Sequence, residues 1–123
     1  MNAINKFKNE NPQYKVPAGS DAKMYEHTHD TVYNVDDFLI YFYKKNQLIS
    51  FRIMQEDYNK CDLFLSSVRN IQDPRGWKEI NKNVPEAEND EIKKEFVEDF
   101  LDKLGYKYKD EGKGTDLFYG WFE

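Results

Sequence analysis

Between residues 35 and 71 the chain alternates short runs of aromatic and β-branched residues with short polar breaks, a pattern few folds accommodate. Successive side chains of a strand point to opposite faces. Over residues 35–43, Phe38, Ile40 and Phe42 therefore share one face and Leu39, Tyr41 and Tyr43 the other. With both faces apolar, this strand is expected inside a sheet or covered on both sides. Residues 47–55 put Ile49, Phe51 and Ile53 on one face and Ser50 and Arg52 on the other, as a half-buried strand does. Residues 61–68 form a third, less regular run. The breaks, Lys44-Lys45-Asn46 and residues 56–60, are too short for crossovers, so the strands are expected to form an antiparallel meander. Asn59 suits a turn position with positive φ.

Asp73-Pro74-Arg75-Gly76 carries the residues of a type I turn, with Asp at i, Pro at i+1 and Gly at i+3. Residues 77–80 are expected to add a short fourth strand, and residues 81–89 to link it to a helix. In that helix, residues 90–104, Ile92, Phe96, Val97, Phe100, Leu101 and Leu104 recur at the helical period. Asn89 or Asp90 can cap its start, and Gly105 can end it as the C′ residue. Residues 106–109 and 117–122 read as a C-terminal hairpin around the glycine-bearing turn 110–116. At the other end, Ile4 and Phe7 mark a short helix stopped by Pro12. Residues 13–31 have no sustained period and read as a loop with a short extended piece near 23–26. The expected fold is α+β: an antiparallel meander of three or four strands plus a C-terminal hairpin, packed against one main amphipathic helix. The 123 residues make a single domain whose first 31 residues are loop-rich.

A 39% hydrophobic and 16% aromatic composition excludes a disordered chain, which could not bury enough apolar area to offset its conformational entropy. One cysteine, Cys61, excludes an internal disulfide and fits a reducing compartment. Residues 1–12 are polar, unlike a signal peptide, and no run is long enough to span a membrane, so a cytoplasmic protein is expected. The net charge of −5 is unevenly placed: residues 86–111 carry ten acidic and five basic side chains, whereas residues 1–85 carry eleven and twelve. That distribution offers no basic stripe for nucleic acid and favours a basic partner.

The acidic excess has a pattern. Glu91, Glu95, Glu98 and Asp102 fall within about 60° of one another on a helical wheel, opposite the apolar face. Like charges at these spacings cost a few tenths of a kcal/mol per pair, and an anion in the last helical turn opposes the helix dipole. Local stability would prefer lysines there, so these residues are candidates for a docking surface against an ordinary solvated face. Trp77, beside a glycine and near Arg75, is a candidate interface anchor.

Other constellations carry less. In an extended segment His27 and His29 point the same way and could share a metal with Asp30 or a distant carboxylate, but two ligands do not make a site, and polar loop histidines are the simpler expectation. The single His-x-Thr element lacks the second copy of two-histidine phosphoesterases. Cys61 lies between Lys60 and Asp62, whose effects on its thiol oppose each other, and a buried structural role is expected. Gly112-Lys113-Gly114-Thr115 breaks the order of a phosphate-binding loop. The serines lack the glycines of a nucleophile elbow. The paired carboxylates sit at strand ends, and the sheet aromatics lack the basic flanks of a base-stacking platform.

These features point to an acidic protein-binding domain without catalytic motif or cofactor. Its style is that of toxin-immunity proteins and phage inhibitors, which neutralise a basic protein such as a toxin nuclease by occupying its cleft. It is expected as a monomer or homodimer. The alternatives are a small-molecule-binding or enzymatic domain with an aromatic pocket closed by residues 13–31, and an accessory subunit of a larger assembly.

Overall fold

The computed structural model describes residues 2–57, 60–80, 82–105, 107–110 and 117–121. Helix α1 (Asn2–Glu10) leads into a single 3-10 turn at Pro12–Tyr14. Strands β1 (His27–Asp30), β2 (Val35–Phe42), β3 (Gln47–Asp57), β4 (Lys60–Asn70) and the two-residue β5 (Lys78–Glu79) follow. Helix α2 (Glu86–Asp99) continues as a 3-10 turn at Leu101–Leu104, and β6 (Lys107–Asp110) and β7 (Leu117–Trp121) close the chain. The strands form one antiparallel sheet in the order β1-β2-β3-β4-β7-β6, with β5 pairing β4 from off that path. This is the expected α+β architecture, meander and C-terminal hairpin included. Asn59 and residues 111–116 lie outside the described residues.

Register explains which side chains meet. Ile40 faces Ile49, which faces Val68; Phe38 faces Phe51, which faces Leu65. These rows form one face of the sheet, and onto them pack Ile4 and Phe7 of α1 with Ile92, Phe96, Phe100 and Leu101 from the 86–104 segment. Phe38, Phe51, Phe96 and Phe100 are fully buried. Burying rings of this kind is worth roughly 1.5–3 kcal/mol each before entropy. They interlock at centroid distances of 5.2 to 5.4 Å, a spacing typical of tilted and offset ring pairs.

The structure corrects the sequence reading in three places. The main helix starts at Glu86, after Pro85, rather than at a cap on Asn89 or Asp90. Asn89 is instead buried in the first turn, where its Nδ2 donates to the Val84 carbonyl at 3.2 Å. The helix also leaves α geometry at Phe100 (φ −129°) and finishes as a 3-10 turn before Gly105, which has φ +79° as a C′ glycine should. In the N-terminal region the extended piece is residues 27–30, not 23–26. Lys23–Tyr25 is a 3-10 turn.

The polar turns behave as their residues dictate. Asn34 and Asn46 take positive φ at the tips of the β1–β2 and β2–β3 hairpins. The Gly76 amide donates to the Asp73 carbonyl at 3.0 Å, closing the 73–76 turn. A Cβ on Gly76 would stand 2.4 Å from the Asp73 carboxylate, so a larger residue there would displace that exposed side chain.

Candidate functional site: a groove opposite the helices

The sheet face opposite the helices is only half covered. Its first two rows are Tyr41–Leu48–Arg69 and Leu39–Ser50–Ser67, and its third is Thr28–Asp37–Arg52–Phe64. Residues 16–22 lie over the first rows, where Val16, Ala22, Leu39 and Leu48 form a second, smaller core with Tyr41 and Ile71. Beyond this cover the face opens into a groove of about 540 Å³. Ser50 and Ser67 share its middle row, Thr28 and Ser66 also line it, and Tyr25 and Trp77 stand at its rim. The groove is open because these floor residues are short. A register shift in β4 makes Ser66 an extra residue between Leu65, opposite Phe51, and Ser67, opposite Ser50. Such a bulge re-aims the strand and its side chains locally.

Two guanidinium–carboxylate pairs bracket the serines. Arg69 is buried, and its two terminal nitrogens reach the two Asp21 oxygens at 2.9 and 2.7 Å. It also donates to the carbonyls of Asn70 and Ile71, and its guanidinium lies 5.5 Å from the Trp77 ring centroid. The hydrogen bonds from Arg69 hold the Asp21 carboxyl below its ordinary value, and Asp21 in turn raises the guanidinium. On the far side Arg52 binds Asp37 through two hydrogen bonds of 2.8 and 3.2 Å. Among the described residues, all charge lining the groove is therefore internally paired.

Besides the Asp21–Arg69 pair, Glu26 ties down the covering segment. It accepts hydrogen bonds from Lys8 of α1 (3.1 Å), from Lys23 (2.6 Å) and from the Val16 amide (2.8 Å). Its carbonyl accepts the Leu39 amide at 2.9 Å. The Lys8 ammonium, almost fully buried, donates also to the Leu39 carbonyl. Burial pulls the Lys8 pKa down, against the pull of Glu26. Burial alone would raise the Glu26 carboxyl, but its donors from Lys23, Val16 and Lys8 outweigh that and hold it below its ordinary value.

The residues singled out in the sequence are scattered. Glu91, Glu98 and Asp102 are exposed on the 86–104 segment, but Glu95 is half-buried with its carboxylate 3.1 Å from the Lys45 ammonium; Glu91 also stands 3.8 Å from Lys45. Because the α-helix ends at Asp99, Asp102 belongs to the following 3-10 turn rather than to the same helical ridge. Trp77 is 39% exposed at the groove rim, with Arg69 over its ring; Arg75 is exposed in the neighbouring turn.

His27 and His29 do point the same way, but toward a carboxylate across the strand pair. His27 Nε2 and His29 Nδ1 stand 2.7 and 2.9 Å from the same Asp36 oxygen, and His27 stacks on Phe38 at 4.3 Å. Asp30, the neighbouring candidate, is spent on accepting the Val32 and Tyr33 amides. No group of three or more His, Cys, Asp or Glu among the described residues is arranged to hold a metal. Burial would raise the Asp36 carboxyl, but the two imidazole hydrogen bonds prevail and keep it below its ordinary value. The cluster staples edge strand β1 to β2. Asp36→Ala is expected to accelerate amide exchange over residues 27–30 with little change in melting temperature. Unaltered exchange would show that the backbone ladder alone holds the strand.

Sequence reasoning missed the Asp21–Arg69 strut and the Glu26 knot, which join residues far apart along the chain. The available signal was Arg69 inside a strand-forming stretch, directly after Val68 and before Ile71, a place where a buried charge must find a partner. Cys61 is buried in the main core as expected. Among the described residues no helix is long and apolar enough to cross a membrane. No protein family, curated protein or solved structure matches this chain.

Proposed function

We propose that this protein acts by binding, as an acidic domain of the inhibitor or immunity type that neutralises a basic protein partner such as a toxin nuclease. One observation carries the reading. The 86–104 segment is anchored by Ile92, Phe96, Phe100 and Leu101 and leaves Glu91 and Glu98 exposed on the helix, with Asp102 exposed in the 3-10 turn that follows. A rigidly held row of carboxylates steers and registers a basic surface. Glu95 is withdrawn from this row by Lys45, so the acidic surface is smaller than the sequence pattern implied.

Charge reversal tests the proposal. The variant Glu91→Lys/Glu98→Lys is expected to lose, on affinity capture, a basic protein that the wild type retains and releases at raised salt. Its residual binding should show a flatter salt dependence. Lys45→Ala, which frees Glu95, is expected to tighten the same interaction by roughly twofold to fivefold, in line with the modest worth of a partly exposed ion pair. Equal capture by wild type and double variant removes the helix from any interface.

A ligand-binding or enzymatic domain is the second reading. It is favoured by the groove, whose volume of about 540 Å³ lies within the range of small-molecule sites and whose wall includes the 21–28 segment.

A further inference from the structure

We infer that the groove on the open sheet face is a saccharide site, taking a neutral, polyhydroxylated ligand of a few sugar rings. The inference gives the ligand-binding reading its chemistry and is independent of the acidic helix.

Charge comes first. Among the described residues the groove is lined by two carboxylates and two guanidiniums and no other ionised side chain, so their charges cancel. Neither sign is on offer to a ligand. Both Asp21 oxygens are taken by Arg69, and both Asp37 oxygens by Arg52. A phosphate or carboxylate would have to displace a bidentate carboxylate from its guanidinium. A cation would have to do the reverse. A neutral ligand meets neither obstacle.

The floor supplies the polar complement. Ser50, Ser66, Ser67 and Thr28 each offer one donor and two acceptor lone pairs on a rotor that adjusts to its partner. Hydroxyl groups of a sugar carry the same donor and acceptor pairing, so each can exchange its water contacts for protein ones without leaving a polar atom unpaired. The rim supplies the apolar complement. Tyr25 is 58% exposed and belongs to neither core, and Trp77, with the Arg69 guanidinium over its ring, is still 39% exposed. An aromatic ring buries the C–H face of a pyranose as it would any flat apolar surface. The site draws on five stretches of chain, 21–28, 37–39, 50–52, 66–69 and 74–77, and the Asp21–Arg69 strut ties the first to the fourth.

The test is chemical-shift titration of the isotope-labelled full chain with soluble hexasaccharides of β-1,4-glucose, α-1,4-glucose and β-1,4-N-acetylglucosamine, with inorganic phosphate and spermidine as charged probes. At least one saccharide is expected to shift the Ser50, Ser66, Ser67 and Trp77 signals saturably at millimolar concentration, while the charged probes leave them in place. Tyr25→Ala, an exposed change that spares both cores, is expected to weaken that binding at least about fivefold, and Trp77→Ala about tenfold. Glu91→Lys/Glu98→Lys is expected to leave the saccharide shifts intact, which separates this site from the protein-binding surface. The inference is overturned if no saccharide moves these signals, or if phosphate or spermidine moves them instead.

Discussion

Glu26→Ala is expected to lower the melting temperature by about 10 °C or more. The substitution removes the acceptor for Lys8, Lys23 and the Val16 amide at once. Lys8 then remains with its ammonium buried and its carboxylate gone. Breaking a buried pair costs about 3–5 kcal/mol, because the remaining charge stays desolvated without compensation. Glu26 retains some solvent contact, its side chain being 18% exposed, which puts the expectation at about 3 kcal/mol, near the low end. For a chain of this size each kcal/mol moves the midpoint by about 3–6 °C. Adding Lys8→Met to Glu26→Ala should restore part of the loss, since it removes the orphaned charge and keeps the methylene packing. If Lys8→Met makes the single variant worse, the penalty does not arise from an unpaired ammonium.

The same carboxylate sets a pH dependence. Glu26 has a folded-state pKa below its unfolded value, so its contribution is fully present above the unfolded pKa of about 4.3 and fades as pH falls through the lower folded value. Asp36 carries the same sign, because its imidazole donors also depress it. Stability is therefore expected to hold from neutrality down to about pH 5 and to fall below that as these carboxyls take up protons. Glu26→Gln should show a shallower acid limb in urea unfolding carried out at a series of pH values. A variant with the wild-type acid slope would assign the proton uptake elsewhere.

Phe100→Ala is expected to cost about 3–5 kcal/mol, and Phe100→Asp to leave the chain unfolded at room temperature. Phe100 is fully buried and stands 5.1 Å from Phe7, 5.4 Å from Phe51 and 5.2 Å from Phe96. One side chain thus joins α1, the sheet and α2. It also sits where the helix abandons α geometry, its amide making the last helical hydrogen bond, to the Phe96 carbonyl at 3.2 Å. Removing the ring opens a cavity that three rigid neighbours cannot close. Guanidinium unfolding would measure the loss, and a change under about 1 kcal/mol would mean that the three elements are not held through this residue.

How much of this was legible in the sequence follows from the range of each interaction. The Phe38, Ile40, Phe42 alternation and the Ile49, Phe51, Ile53 alternation named the buried face of two strands, because a period of two is written residue by residue. Ile92, Phe96, Phe100 and Leu101 named the helix face in the same way. The 73–76 turn and Gly105 were legible because turn and cap chemistry is local. The helix start was misplaced because a good capping residue, Asn89, serves a different purpose once the chain has already turned helical at Glu86. The acidic ridge was legible as a row of charges but not as a free one, since Lys45 reaches Glu95 from the β2–β3 turn.

The amino-acid order by itself determined the α+β class, the meander, the covering helix and the identity of most of the core, all of which rest on periodicity and turn chemistry between near neighbours. Tertiary structure alone decided which charges meet: Asp21 with Arg69, Lys8 with Glu26, both histidines with Asp36, Lys45 with Glu95. It alone also left a neutral groove where the N-terminal segment stops short of covering the sheet. The physical reason is that hydrophobic burial is non-directional and follows a repeating pattern, whereas a charge pair needs two particular atoms within about 3 Å, a condition that only the folded path of the chain can satisfy.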